Sequence, residues 1–117
     1  MNYAIITTKD FESNFRRLSK KYHSLDRDYE TLIENLLENP TMGDTLSGNV
    51  RKVRMAIASK NKGKSGGARV ITCNVLINIA NTDIYLLTIY DKGEQDSISE
   101  KEIEILKRRN GLYVHLN

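Results

Sequence analysis

The chain has 117 residues, 39% of them hydrophobic and 28% charged, with a formal net charge of +3. That balance predicts one domain with a single core and excludes a disordered polyelectrolyte. No apolar run approaches the ~20 residues of a membrane span, residues 1–7 carry no basic leader, and the single Cys73 has no intrachain partner, so the expected setting is a reducing cytoplasm.

Residues 2–7 read as a short strand. Phe11, Phe15, Leu18 and Tyr22 then recur at helical spacing, with Thr8 or Asp10 as the cap. Ser24 opens a second helix whose apolar face is Leu25, Tyr29, Leu32, Ile33, Leu36 and Leu37, and Asn39-Pro40 ends it. Two helices on a short link predict an antiparallel helical hairpin. After Gly43 and Gly48 the period changes to two. Val53, Met55 and Ile57 fall on one strand face, and Lys52, Arg54 and Ala56 on the other. Lys52 and Arg54 then sit about 7 Å apart along the strand. Residues 58–67 form a Gly-, Lys- and Ser-rich loop, and 68–77 a second sheet strand. Asn81-Thr82-Asp83 reads as a turn before a third strand over 84–90. Ser99-x-x-Glu102 is a capping box for a last helix containing Ile103 and Leu106, which ends near Asn110-Gly111. The expected class is α+β over 1–117, in the order β-α-α-β-β-β-α, with the helical hairpin packed on a small antiparallel sheet.

Charge is segregated along this frame. Between Asp44 and Asp83 there is no acidic residue, yet Arg51, Lys52, Arg54, Lys60, Lys62, Lys64 and Arg69 all lie there, so the rest of the chain is acidic on balance. Such a run attracts polyanions, nucleic acid first among them; its alternative is a merely solvated face. Residues 58–65 match a relaxed phosphate-loop pattern, but a phosphate loop must feed a helix whose amides hold the anion. Here Gly66-Gly67 leads into a β-branched strand, which argues against nucleotide hydrolysis. His23 and His115 have no ligand spacing, and neither a metal site nor a small-molecule cofactor is expected.

Three stretches occur in order. They are Leu18-x-x-Lys21-Tyr22 with the Asn39-Pro40 helix end, Arg51-Lys52-Val53-Arg54-Met55-Ala56 followed by residues 62–71, and Ile89-Tyr90-Asp91-Lys92 before the Ile98-Ser99 helix start. Together with the element order they resemble the RelE/ParE superfamily of type II toxin–antitoxin toxins, in its RelE/HigB branch, over essentially the whole chain. The resemblance implies a toxin that cuts mRNA on the ribosome and is silenced by a cognate antitoxin. It also implies catalytic roles for Lys52, Arg54, Arg69 and Lys92, with Arg69 stabilising the transition state.

The chemistry of the residues agrees. Metal-free RNA cleavage drives the 2′-OH onto the adjacent phosphorus, and charge grows on the non-bridging oxygens. An arginine, always ionised, suits that charge. Proton transfer needs a base and an acid, and a lysine crowded by other cations can serve as either. For Lys52 and Arg54 the plain alternative is an exposed strand face; for Arg69 it is pairing with an acid such as Asp91. Arg51, Lys60, Lys62, Lys64 and Tyr90 are the expected RNA contacts, with residues 60–67 weakly ordered until a polyanion binds. Some relatives place a catalytic aromatic where this chain has Ile98; Tyr90, Tyr113 or His115 are the substitutes, and ordinary packing is the alternative for the last two. Three functions remain open: the ribosome-dependent endonuclease, a ParE-like gyrase inhibitor on the same fold, and a non-catalytic nucleic-acid-binding module. Convergence of the basic set favours the first.

Overall fold

Thr8 sets the first corner of the fold. Its Oγ1 accepts from the Phe11 amide at 3.1 Å, and its hydroxyl is directed at the Leu86 and Leu87 carbonyls. Strand β1 (Asn2–Thr7) thus passes into helix α1 (Lys9–Lys21) against the flank of a central strand. Helix α2 (Leu25–Glu38), strands β2 (Asp44–Ser47) and β3 (Val50–Met55), a 3₁₀ turn (Ala58–Lys60), strands β4 (Ala68–Asn78) and β5 (Asn81–Asp91), and helix α3 (Glu100–Arg109) follow. This computed structural model describes residues 1–112; Tyr113 and His115 lie outside the described residues.

The five strands form one sheet in the order β1-β5-β4-β3-β2. The fold is α+β as expected, with three differences. Residues 44–47 form an extra edge strand on β3; all four are exposed, so they show no apolar alternation to read. β1 pairs parallel to β5, which makes the sheet mixed rather than antiparallel. Asn81, Thr82 and Asp83 belong to β5 and not to a turn, because Asn78 makes the turn instead. Its Oδ1 accepts from the Ala80 amide and from the Asn81 side chain, both at 2.9 Å. Ser24 does hold the cap position of α2, but its hydroxyl makes no cap bond.

The sheet separates two cores. On one face α1 and α2 bury Phe11, Leu18, Leu25, Leu32 and Leu36 against Val53, Met55, Val70, Ile84 and Leu86. On the other, α3 lays Ile103 and Leu106 on Val50, Ile71, Cys73, Leu87 and Tyr90. Burying each such side chain contributes about 1.5–3 kcal/mol. The β4–β5 hairpin runs past its neighbour, since β3 pairs with β4 only as far as Cys73. Beyond it Leu76, Ile77 and Ile79 stand exposed, Ile79 at 94%, in a stretch without charge from Val70 to Thr82.

Candidate functional site

A bulge decides what the sheet presents. Ile71 pairs with Thr88 but Thr72 with Leu86, so β5 carries Leu87 as one extra residue. Two residues opposing one shift the alternation of side chains beyond that point. Ile84 and Leu86 therefore face the helical hairpin, while Tyr90 faces α3. Arg54 pairs with Arg69 and Arg69 with Tyr90, so one cross-strand row on the α3 side reads Arg54–Arg69–Tyr90. The next row reads Lys52–Ile71–Thr88. Partners in such rows have Cα atoms roughly 4.5–5.5 Å apart.

Lys92 extends the ladder one step past β5, its amide donating to the Gly67 carbonyl at 3.0 Å. Its Nζ is 2.8 Å from Asp96 Oδ1. The Lys92 hydrogen bond and charge lower the Asp96 pKa, and the charge of Lys52 adds to this. Lys92 thus pairs with this carboxylate in the β5–α3 connection, and Lys52 acts on it only through its charge. Arg54 is exposed and makes no hydrogen bond or ion pair with another described residue. Arg51 has the opposite parity and lies on the hairpin side of the sheet.

Arg69 is only 5% exposed. Its Nη1 donates to the carbonyls of Lys64 at 3.0 Å and Ala68 at 3.2 Å, and its Nη2 to Ser65 at 3.2 Å. Two of these three bonds hold the lysine-rich loop, and since none of the acceptors is a carboxylate the guanidinium charge is not cancelled. The alternative pairing with Asp91 is not made, because Asp91 projects to the opposite face. Gly67 permits this close passage: a Cβ there would lie 2.2 Å from the Met55 carbonyl oxygen.

Asp91, read from the sequence as a possible partner of Arg69, has other partners in the fold. It is buried, with Lys60 Nζ at 2.7 Å, the Gly93 amide at 2.9 Å, the Tyr22 hydroxyl in a short hydrogen bond, and Lys21 Nζ at 3.7 Å. Burial alone would raise its pKa. Hydrogen bonds from Lys60, Tyr22 and the Gly93 amide, with the charge of Lys60, instead lower it to about 2. Lys60, expected to meet RNA, therefore has its ammonium in this knot, and its side chain is 11% exposed. Lys62 and Lys64 remain exposed. The loop expected to be weakly ordered is pinned at both ends. Ala58 and Ser59 amides donate to Asp28 and Ser24, Lys60 reaches Asp91, and Arg69 holds the carbonyls of Lys64 and Ser65.

Beside the Arg54–Arg69–Tyr90 row a cleft of about 280 Å³ opens between α1, β5 and α3, lined by Asn14, Thr88, Tyr90, Gln95, Ile98 and Glu102. Asn14 Nδ2 donates to Thr88 Oγ1 at 3.0 Å. The Tyr90 hydroxyl is buried and has no hydrogen-bond partner. Burial raises its pKa; Arg69 opposes this, and Asp96 and Glu102 add to it. Ile98, half-buried, occupies one wall.

A mixed sheet with a helical hairpin on one face, and a cationic row beside a short C-terminal helix on the other, defines a small α+β protein. The family described as the RelE toxin of the RelE/RelB toxin–antitoxin system matches residues 7–117, and the chain belongs to it. It is thus a toxin of a toxin–antitoxin system, with an antitoxin as partner. Among the described residues, no helix is long and apolar enough to cross a membrane.

Proposed function

We propose that this toxin is a ribosome-dependent mRNA endonuclease of the RelE/HigB branch, acting in the cytoplasm. The observation that supports this reading is the cross-strand row, which sets Arg54 beside Arg69, with Lys52 and Lys92 on the same face. Arg54 and Arg69 bind the scissile phosphate and oppose the charge that grows on its non-bridging oxygens. Lys52 and Lys92 share the proton transfers: one takes the 2′-OH proton as oxygen attacks phosphorus, and the other protonates the departing 5′-oxygen. The P–O5′ bond breaks as the P–O2′ bond forms, leaving a cyclic 2′,3′-phosphate and a 5′-hydroxyl. Asp96 holds Lys92 in the free protein and releases it to the phosphate. Lys62 and Lys64 grip nucleic-acid backbone without reading sequence.

The test is mRNA cleavage on programmed ribosomes, with no divalent-metal requirement beyond the ribosome's own. A chain that cuts nothing there but inhibits gyrase supercoiling overturns the proposal in favour of a gyrase poison. Replacing Lys62 and Lys64 together by alanine is expected to leave the unfolding midpoint unchanged, since both side chains are exposed. It should weaken ribosome binding and reduce the slope of log affinity against log salt by about two, roughly one per lost phosphate contact. An unchanged slope would remove these lysines from the RNA interface.

A further inference from the structure

We infer that Asp91 is a positioning residue for the cationic face, setting the lysine-rich loop through Lys60 and the turn that carries Lys92 through the Gly93 amide. The inference deepens the endonuclease reading and rests on it, and its test separates the two.

The two carboxylate oxygens of Asp91 have different duties. Oδ2 accepts from the Tyr22 hydroxyl and lies 3.7 Å from Lys21 Nζ, at the end of α1. Tyr22 is itself fixed, its amide donating to the Leu18 carbonyl at 2.9 Å. Oδ1 accepts from Lys60 Nζ at 2.7 Å and from the Gly93 amide at 2.9 Å. One oxygen thus faces the helical scaffold, and the other holds two connections that bring lysines to the site.

The first connection is the loop of residues 58–67. Asp28 and Ser24 fix its start and Arg69 its end, while Lys60 ties it to the end of β5. The Lys60 ammonium also lies 5.5 Å from the centre of the Tyr22 ring, a second attraction toward the same place. Lys62 follows two residues on and packs on Gly66, where a Cβ would lie 2.6 Å from its own. The second connection is the turn after β5. Asp91 gathers three consecutive amides there: Gly93 on its carboxylate, and Glu94 and Gln95 on its main-chain carbonyl, each at 2.9 Å. Lys92 is therefore held on both sides, its own amide by Gly67 and the next one by Asp91. The connections touch at this carboxylate, since a Cβ on Gly93 would lie 3.3 Å from Lys60 Nζ.

Cohesion alone does not call for an ion pair here, because apolar residues of similar volume often stabilise a buried site as well. What the charges add is direction. Hydrogen bonds from Tyr22, Lys60 and Gly93 refer both connections to one point on the scaffold. A displacement of about 1 Å at a reacting group can cost 10²-fold in rate.

The experiment measures kcat and KM for mRNA cleavage on programmed ribosomes, well below each variant's unfolding midpoint. Lys60→Met cuts the loop tie and leaves Asp91 its contacts with Tyr22, Gly93 and Lys21. It should raise KM about tenfold, the value of one charge-assisted hydrogen bond, and change kcat less than about twofold. Asp91→Asn keeps an acceptor for Gly93 but drops the charge that holds Lys60. It should match Lys60→Met, and the two together should be no worse than either, because both cut the same tie. Adding Lys60→Met to Asp91→Leu should recover most of the stability that Asp91→Leu alone loses. This double variant should still lower kcat about 10–100-fold, since the Gly93 amide has lost its acceptor and Lys92 its placement. Wild-type kcat and KM in these variants overturn the inference and leave the endonuclease reading standing, as does a loss in Lys60→Met that falls on kcat alone. If the double variant does not fold, the KM of Lys60→Met and Asp91→Asn decides by itself. If the wild-type chain cuts nothing on ribosomes, the endonuclease reading fails and this inference with it.

Discussion

Arg69→Ala should lower mRNA cleavage on programmed ribosomes by roughly 10²–10³-fold, the size of effect seen when one donor to a developing oxyanion is lost. The side chain has two duties that this substitution removes together. It brings an uncancelled charge to the row facing the phosphate, and it clamps the carbonyls of Lys64, Ser65 and Ala68. A buried carbonyl left unpaired costs about 1–3 kcal/mol, and the Ala68 carbonyl is the buried one of the three, so the unfolding midpoint should fall as well. Two further variants separate the duties. Arg69→Lys keeps the charge but cannot reach three carbonyls with one ammonium; if the clamp is all that matters, it should fail as badly as alanine. Arg54→Ala removes an exposed cation from the same row and should leave stability unchanged. Its cleavage should drop about tenfold or more, the value of one charge-assisted hydrogen bond. Wild-type cleavage by Arg69→Ala, assayed well below its midpoint, would take this residue out of the mechanism.

Asp91→Ala should be the most destabilising change of a polar residue among the described residues, at about 3–5 kcal/mol, because it strands the Lys60 ammonium inside the protein. The wild-type carboxyl also implies an acid limb. Its pKa is about 2 in the fold against 3.8 ordinarily. A carboxylate depressed on folding stabilises above its unfolded pKa and loses that contribution as pH falls toward the folded one. Between about pH 4 and pH 2 the protein should therefore lose about 2 kcal/mol through this group. Glu94 and Asp96 are depressed in the same direction, but they are exposed and their pairs are screened by salt. Denaturant unfolding across that range in high salt should show the limb in the wild type and a flatter profile in Asp91→Asn. Equal profiles would mean that the knot contributes no linkage.

The parts of the site that follow local alternation are legible in the amino-acid sequence. Lys52 and Arg54 share a face because Val53 and Met55 occupy the other, and β3 obeys that pattern throughout. β5 offers no such guide. Its residues 84–89 are apolar but for Tyr85 and Thr88, and such a run fits either face. Only the extra Leu87 settles that Tyr90 joins Arg69 while Asp91 turns toward Tyr22 and Lys60. The true partners of Asp91 escape a sequence reading for a related reason, since two of them lie 69 and 31 positions away and share no spacing rule with it. The parallel pairing of β1 is likewise a long-range event. Asn78 is hidden as a turn former because Asn81-Thr82-Asp83 carries the same turn-favouring residue types.

The β4–β5 hairpin gives the molecule two ends that answer oppositely to salt. Arg69 stands eight residues before Ile77 on β4, roughly 26 Å along the strand. At the Arg69 end, ionic strength releases bound nucleic acid by competing for its phosphates. At the other end, Leu76, Ile77 and Ile79 become less soluble as sulfate strengthens apolar association. A sulfate wash that strips RNA from the purified toxin should therefore promote its self-association, visible as rising light scattering, and Ile79→Lys should abolish that response. Freeing the cationic face and keeping the free toxin dispersed are, for this sheet, competing demands on one solvent.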